Sequence, residues 1–102
     1  MPLEGYRIWL GHGFHILVTF IQVRGHIVSF AVVLVAPTSA GERDIARYDT
    51  AHGTPHRDLF GLRNGLLRKD WFTTVSANEA FSTAIADFKA NHENYLRIFE
   101  EN

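Results

Sequence analysis

The sequence has no cysteine among its 102 residues. This absence excludes disulfide bonds, zinc sites built on cysteine and cysteine nucleophiles as the basis of its fold or chemistry. A chain without cysteine also suits a reducing compartment, and we expect a soluble protein of the cytoplasm.

The net charge is close to zero, and long apolar runs are also scarce. Ten basic and eleven acidic residues give a formal charge of −1, so RNA or DNA binding would need a local basic patch. The most apolar run, residues 27–36, is interrupted by Ser29 and is too short to cross a bilayer as a helix. The first residues lack the apolar block of a signal peptide, and we therefore expect no membrane association.

The residues that are present favour one globular domain over residues 1–102. Hydrophobic residues make up 46% of the chain and charged residues 21%, which is typical of a folded domain with its own core. We expect an α+β fold, with an antiparallel sheet in residues 1–75 and a C-terminal helix in residues 76–100.

Short runs rich in β-branched and aromatic residues alternate with glycine-centred turns in the first three quarters of the chain. This pattern predicts an antiparallel β-meander of five to six strands. Asn64-Gly65 is expected to be a two-residue hairpin turn, and residues 37–41 a loop. The predicted strands are residues 4–10, 14–23, 27–36, 43–50, 59–63 and 66–72.

The last quarter predicts one long helix that packs on one face of the sheet. Ser76 and Glu79 have the spacing of a capping box, and apolar residues recur at helical spacing after them. The second and third strands are apolar on both faces, so one helix leaves one face without cover. We expect a second copy of the chain, or a small partner protein, to cover that face.

The segment RYDTAHGTPHRD, residues 47–58, differs from the rest of the chain. It places His52 and His56 four residues apart, but Gly53 and Pro55 between them exclude a helix. Extended backbone would separate the two imidazoles by about 13 Å, whereas a tight turn would bring them together. The sequence leaves both conformations open, and they have different chemical consequences.

With a tight turn, two chemistries are available to this segment. His52 and His56 could act as base and acid while Arg47 or Arg57 holds a phosphate, which suits metal-free cleavage of RNA through the 2′-hydroxyl. Alternatively, two histidines and a carboxylate form a ligand set for a divalent transition metal. The candidate catalytic residues are Arg47, Tyr48, Asp49, His52, His56 and Arg57, and the candidate metal ligands are Asp49, His52 and His56.

A purely structural interpretation stands beside these two, and it needs no cofactor. Asp49 could pair with Arg47 at the end of a strand while both histidines are solvated loop residues. Isolated loop histidines and surface ion pairs are common, which favours this interpretation.

The segment resembles the signature of a family of small uncharacterised prokaryotic proteins, a domain of unknown function. The matching residues are the run from Arg47 to Gly53 and the run from Pro55 to Asp58. The resemblance covers most of the chain: the N-terminal meander, this signature and the acidic C-terminal helix.

A more distant similarity is to the TumE-type toxins of toxin–antitoxin pairs. Arg47, Tyr48 and Asp49 match one part of their pattern, and Pro55 and His56 match a second part. Arg57 and Asp58 stand where that family has further histidines. This similarity implies a helix-turn-helix antitoxin as partner and RNA or a nucleotide as target.

Two functions follow from these observations. The favoured one is a non-catalytic binding or oligomerisation module, supported by the near-zero charge and the two-sided hydrophobicity of the strands. The alternative is a toxin-like protein that acts on RNA or nucleotides through the histidines and arginines of residues 47–58. The sequence leaves open whether the protein is an enzyme.

Overall fold

The computed structural model describes residues 2–102 and shows an α+β fold. Six antiparallel strands form one open sheet in sequential order, and one helix packs against it. The predicted meander and helix are therefore confirmed. The elements are β1 (Glu4–Gly11), β2 (Phe14–Val23), β3 (His26–Thr38), β4 (Gly41–Asp49), β5 (His56–Gly61), β6 (Gly65–Trp71) and α1 (Ala77–Glu101).

Helix α1 begins where its cap residue predicts. The hydroxyl of Ser76 accepts a hydrogen bond from the backbone N–H of Glu79 at 3.1 Å, which satisfies one of the donors that every helix start leaves unpaired. The buried side of α1 carries Ala80, Ala84, Phe88, Tyr95 and Phe99, at the spacing of one helical face. No helix within residues 2–102 is long and apolar enough to cross a membrane.

The end of α1 is fixed to the turn between β5 and β6. The N–H of Leu62 donates to the carbonyl oxygen of Phe99 at 2.9 Å, and Asn64 donates to the carbonyl oxygen of Asn102 from its backbone at 3.0 Å and its side chain at 2.6 Å. Gly61 permits this approach, since a Cβ there would lie 2.9 Å from the backbone of Asn102. These bonds satisfy carbonyls that a helix end leaves without an intrahelical partner.

The hydrophobic core lies between α1 and one face of the sheet, the helix-facing side. Side chains alternate between the two faces of a strand, so every second residue of the central strands points toward the helix. The strand residues of this core are Phe14, Ile16, Val18, Phe30, Val32, Leu34, Ala36, Ile45, Ala46, Tyr48 and Leu59.

The predicted loop at residues 37–41 is wrong, because β3 continues to Thr38 and β4 starts at Gly41. Pro37 pairs with Glu42 in the β3–β4 ladder, whereas the pairing of β3 with β2 ends at Val35. Beyond Val35, β3 has a neighbour on one side only, and an edge position of this kind tolerates a proline.

The predicted start of β5 is also wrong. The strand begins at His56, so His56, Arg57 and Asp58 pair with Asp49, Tyr48 and Arg47 of β4 and do not lie in a loop. The turn after β5 has three residues, Leu62 to Asn64, because Gly61 pairs with Gly65. Cross-strand pairing therefore organises most of the unusual segment.

The second face of the sheet is not apolar along its whole width. Across β4, β5 and β6 this face carries mainly charged and histidine side chains. Most of the exposed large apolar residues lie instead at the two edges of the sheet: Leu3, Tyr6 and Trp9 at β1, and Leu66 and Trp71 on β6.

Candidate functional site

Strand alternation divides the segment 47–58 between the two faces of the sheet. Arg47 and Asp49 of β4, with His56 and Asp58 of β5, point away from α1. Tyr48 and Arg57, which pair with each other, point toward it. The candidate residues thus form two separate polar clusters and not one site.

His52 belongs to neither cluster. It is exposed in the turn between β4 and β5, where the N–H of Gly53 donates to the carbonyl oxygen of Thr50 at 2.8 Å. The φ angle of His52 is 70°, the left-handed conformation that the third residue of a type II turn requires. The turn therefore accounts for the backbone at His52, while His56 is 1% exposed within the sheet.

The face of the sheet opposite α1 holds the open-face cluster, which we define as Arg47, Asp49, His56, Asp58 and Lys69. His56 lies between two carboxylates: its Nε2 is 3.0 Å from Oδ1 of Asp49 and 3.9 Å from Oδ2 of Asp58. Its Nδ1 lies 3.0 Å from the carbonyl oxygen of Thr54. Both ring nitrogens therefore face oxygen atoms, and the imidazole is held in one orientation.

Asp58 binds both cations of the open-face cluster. Arg47 donates to its Oδ2 at 2.8 Å and Lys69 to its Oδ1 at 2.7 Å, while Nε of Arg47 lies 2.7 Å from Oδ2 of Asp49. Burial raises the pKa of Asp58, but the hydrogen bonds from Lys69 and Arg47 outweigh it and keep that pKa below its ordinary value. Two cations thus neutralise the two carboxylates.

Asp49, His56 and Asp58 could together offer ligands to a metal ion, since one donor atom from each lies within 4.8 Å of the others. This set differs from the predicted one, because Asp58 takes the place of His52. A divalent ion would have to compete with Arg47 and Lys69, which already bind the carboxylate oxygens. The cluster is therefore charge-balanced by side chains of the chain itself.

The helix-facing side of the sheet holds the helix-face cluster, defined as Tyr48, Arg57, Asp70, Asp87 and Tyr95. Arg57 donates from Nε at 3.1 Å and Nη2 at 2.6 Å to Oδ2 of Asp70, and from Nη1 at 3.0 Å to the hydroxyl of Tyr95. Tyr48, at 2.7 Å, and Tyr95 both donate to Oδ2 of Asp87 on α1. The network connects β4, β5 and β6 to the helix.

The environment of this cluster shifts the pKa values of its two tyrosines and of Arg57. Burial, and then the hydrogen bond to Asp87, raise the pKa of Tyr95 to about 12 and also raise that of Tyr48. Burial lowers the pKa of Arg57, but the hydrogen bond to Asp70 outweighs it and the net direction is upward. Both tyrosines therefore stay protonated and Arg57 stays charged.

A cleft of about 360 Å³ opens beside the helix-face cluster, between β5, β6 and the second half of α1. Its volume is within the usual range for small-molecule sites, about 300–1,000 Å³. The lining residues are Arg57, Leu59, Arg68, Asp87, Asn91, Asn94, Tyr95 and Ile98.

The polar groups that remain available in the cleft are mainly hydrogen-bond donors. Asp87 already accepts from Tyr48, Tyr95 and Asn91. Arg68 uses only Nε, toward Asp70, and the amide nitrogen of Asn94 has no hydrogen bond within residues 2–102. Leu59 and Ile98 add two apolar side chains to this donor-rich surface.

Sequence reasoning missed Asp58, Lys69, Asp70, Asp87 and Tyr95 as members of the two clusters. A signal existed for the last two, since Asp87 and Tyr95 are eight residues apart and so lie near one face of a helix. Lys69 and Asp70 carry no such signal, because their positions depend on the β5–β6 register.

An antiparallel six-stranded sheet with one helix on it and a polar cleft beside that helix defines a small α+β domain. The chain belongs to the family described as Domain of unknown function (DUF7718), whose model matches residues 1–102. The predicted membership in a domain of unknown function is thereby confirmed. No curated protein and no solved structure matches the chain.

Proposed function

We propose that residues 1–102 form one non-catalytic binding domain of the cytoplasm, with its ligand site in the cleft between α1 and β5–β6. The observation that carries this proposal is the combination of two guanidinium groups with unused amide donors in a cavity of small-molecule size. The expected occupant is a small organic anion with a phosphate or carboxylate group.

The ligand class follows from the balance of donors and acceptors. Both carboxylates near the arginines are occupied: Asp70 accepts from Arg57 and Arg68, and Asp87 accepts from three side chains. An incoming group therefore meets N–H donors, and guanidinium groups bind phosphate and carboxylate oxygens in a paired geometry.

The size and lining of the cleft favour a ligand larger than an inorganic ion. A single phosphate would fill only part of a cleft of about 360 Å³. Leu59 and Ile98 offer apolar contact to the rest of a larger ligand, such as the ring of a nucleotide. An organic phosphate fits both the donors and the apolar side chains.

The same lining supports binding without catalysis. The described residues that form the cleft include no histidine, serine or threonine, and the pKa of Tyr95 is too high for a base or nucleophile at neutral pH. The ribonuclease-type alternative uses His52, His56 and Arg57 together, but His56 and Arg57 point to opposite faces of the sheet. That alternative, with its antitoxin partner and RNA target, stays a prediction.

The test is a nuclear magnetic resonance titration of the ¹⁵N-labelled protein with adenosine monophosphate, inorganic phosphate, citrate and uncharged adenosine. We expect the side-chain signals of Arg57, Arg68 and Asn94 to shift with the three anions. Adenosine monophosphate should bind more tightly than phosphate, and adenosine should cause little change. This order of affinities distinguishes recognition of the anionic group from contacts made by the adenine ring alone.

Two variants and one control localise the site. Arg68→Gln removes a cation whose side chain is mostly exposed, and Asn94→Asp keeps the acceptor for Arg97 but replaces two donors by a negative charge. Both should weaken binding of adenosine monophosphate at least tenfold. Arg43→Gln, at an exposed arginine on β4, should leave it unchanged. If millimolar concentrations of all three anions leave the spectrum unchanged, or if neither cleft variant alters binding, the proposal is wrong.

A further inference from the structure

The edge strand β1 offers a surface for a protein partner. It pairs only with β2, so the backbone N–H and C=O groups along its other side have no strand neighbour within residues 2–102. Such an edge is a template for adding another strand. Its exposed side chains are unusually apolar, since Trp9 is 68% exposed and Tyr6 is 47% exposed.

The opposite edge, β6, is protected in a way that β1 is not. Arg68, Lys69 and Asp70 are three consecutive charged residues, and each takes part in an ion pair of the clusters described above. Charged side chains on an edge strand are a common means of preventing strand addition. Strand β1 has only Glu4 and Arg7, separated by Gly5 and Tyr6.

We propose that a second copy of this chain binds along β1, so that two six-stranded sheets join into one continuous antiparallel sheet. The partner is a second copy because β1 is complementary to itself. When two β1 strands pair about a two-fold axis perpendicular to the sheet, residues paired across the two strands must project to the same side of the sheet. A centre at Ile8 meets this condition and overlaps nearly the whole of β1.

This register brings favourable pairs together on both faces of the sheet. On the face opposite α1, Arg7 meets Trp9 of the second copy. Within one chain the guanidinium of Arg7 already lies 5.1 Å from the centre of the Trp9 ring, and the dimer would add a cation–π contact of the same kind between the two chains. On the helix-facing side, Tyr6 meets Leu10 of the second copy. Centring the axis one residue earlier, at Arg7, would instead oppose two arginines, which is destabilising.

The dimer interface contains the exposed apolar residues of β1 and leaves the cleft accessible. The cleft lies beside β5 and β6, at the other side of a sheet whose strand order is sequential. Dimer formation and anion binding are therefore independent, and failure of one leaves the other standing.

The experiment measures molar mass in solution by sedimentation velocity at micromolar concentrations. The unmodified chain should sediment as a dimer. Trp9→Lys, at a mostly exposed position, places a lysine opposite Arg7 of the second copy and should yield monomer. Combining it with Arg7→Glu restores opposite charges across the interface and should restore the dimer.

The matched control is Leu66→Lys, which changes an apolar residue of similar exposure, 52%, at the β6 edge. This variant should remain a dimer, and circular dichroism should show that all three variants are folded. A monomeric unmodified chain, a dimer that survives Trp9→Lys, or a Trp9→Lys monomer that Arg7→Glu does not reverse would each overturn the proposal.

Discussion

The imidazole of His56 and the carboxylate of Asp49 face each other across β4 and β5, with Nε2 3.0 Å from Oδ1. The same Oδ1 accepts the N–H of Ala51 at 2.8 Å, so Asp49 holds both the second residue after β4 and the first residue of β5. Trp71 of β6 lies over the imidazole, with ring centres 4.9 Å apart. This pair therefore closes the turn that carries His52.

Removal of the central carboxylate of the open-face cluster should destabilise the fold. Asp58→Ala takes away the hydrogen bonds to Arg47 and Lys69, and we expect the free energy of unfolding to fall by about 2–3 kcal/mol, the scale of hydrogen bonds to charged groups. Urea denaturation measures this change. Asp44→Ala, an exposed aspartate on β4, is the control and should change stability by less than about 0.5 kcal/mol. Equal effects of both substitutions would contradict the assigned role of Asp58.

The stability of the protein should decrease in acid because of the same carboxylate. The pKa of Asp58 is lower in the folded chain than in the unfolded chain, so its contribution is complete above the ordinary aspartate pKa of about 3.9. That contribution is lost as the pH falls through the lower pKa of the folded state. Asp70, whose pKa is also lowered, adds to the same trend.

Denaturation curves at a series of acidic pH values test this assignment. The unmodified chain should lose stability more steeply than Asp58→Asn, which cannot titrate at this position. Parallel pH dependences of the two proteins would show that Asp58 contributes nothing to acid sensitivity.

Separate replacement of the two histidines distinguishes binding from ribonuclease-type chemistry. We expect no RNA cleavage by the unmodified chain and unchanged anion binding in His52→Asn, because asparagine tolerates the left-handed backbone of the exposed turn. His56→Ala should reduce stability, since it leaves buried Asp49 with one fewer partner. Cleavage of a labelled RNA that is lost in both His52→Ala and His56→Ala would support the catalytic alternative instead.

Alkaline titration should show that two of the three tyrosines resist ionisation. Tyr48 and Tyr95 have raised pKa values in the folded chain, so at about pH 11 absorbance at 295 nm should report fewer than three phenolates. Their contribution to stability is complete below the ordinary tyrosine pKa of about 10 and is lost as the pH rises through the higher folded value.

The variant Asp87→Asn checks the cause of these shifts. It removes the charged acceptor of both tyrosine hydroxyls, and the absorbance change should move to lower pH. A titration curve identical to that of the unmodified chain would show that Asp87 does not raise the tyrosine pKa values.

Local sequence patterns predicted the helix and strands of this fold because interactions between residues close in sequence largely determine them. Ser76 begins the helix through its own hydroxyl, and glycine-centred turns separate the strands of the predicted meander. The end of β3 was mispredicted because a proline normally interrupts a strand. Pro37 is tolerated only because β2 no longer pairs there, and that is a property of the assembled sheet.

The residues of the two clusters and of the cleft were predicted less completely, for a related reason. The sequence identified Arg47, Asp49 and His56 as members of an unusual segment, and the structure brings these three together. It could not assign Arg57 to the other face without knowing that β5 begins at His56. The cleft depends on β5, β6 and α1 together, and no pattern within one segment indicates it.

The division of one short segment between two faces also constrains how the sheet assembles. A shift of β5 by one residue against β4 would turn His56 and Asp58 toward the apolar helix and Arg57 toward solvent. Both polar clusters would lose their partners at once, and charged groups would enter the core without compensation. The two clusters therefore favour a single register of β5 against β4, across a connection of six residues between the two strands.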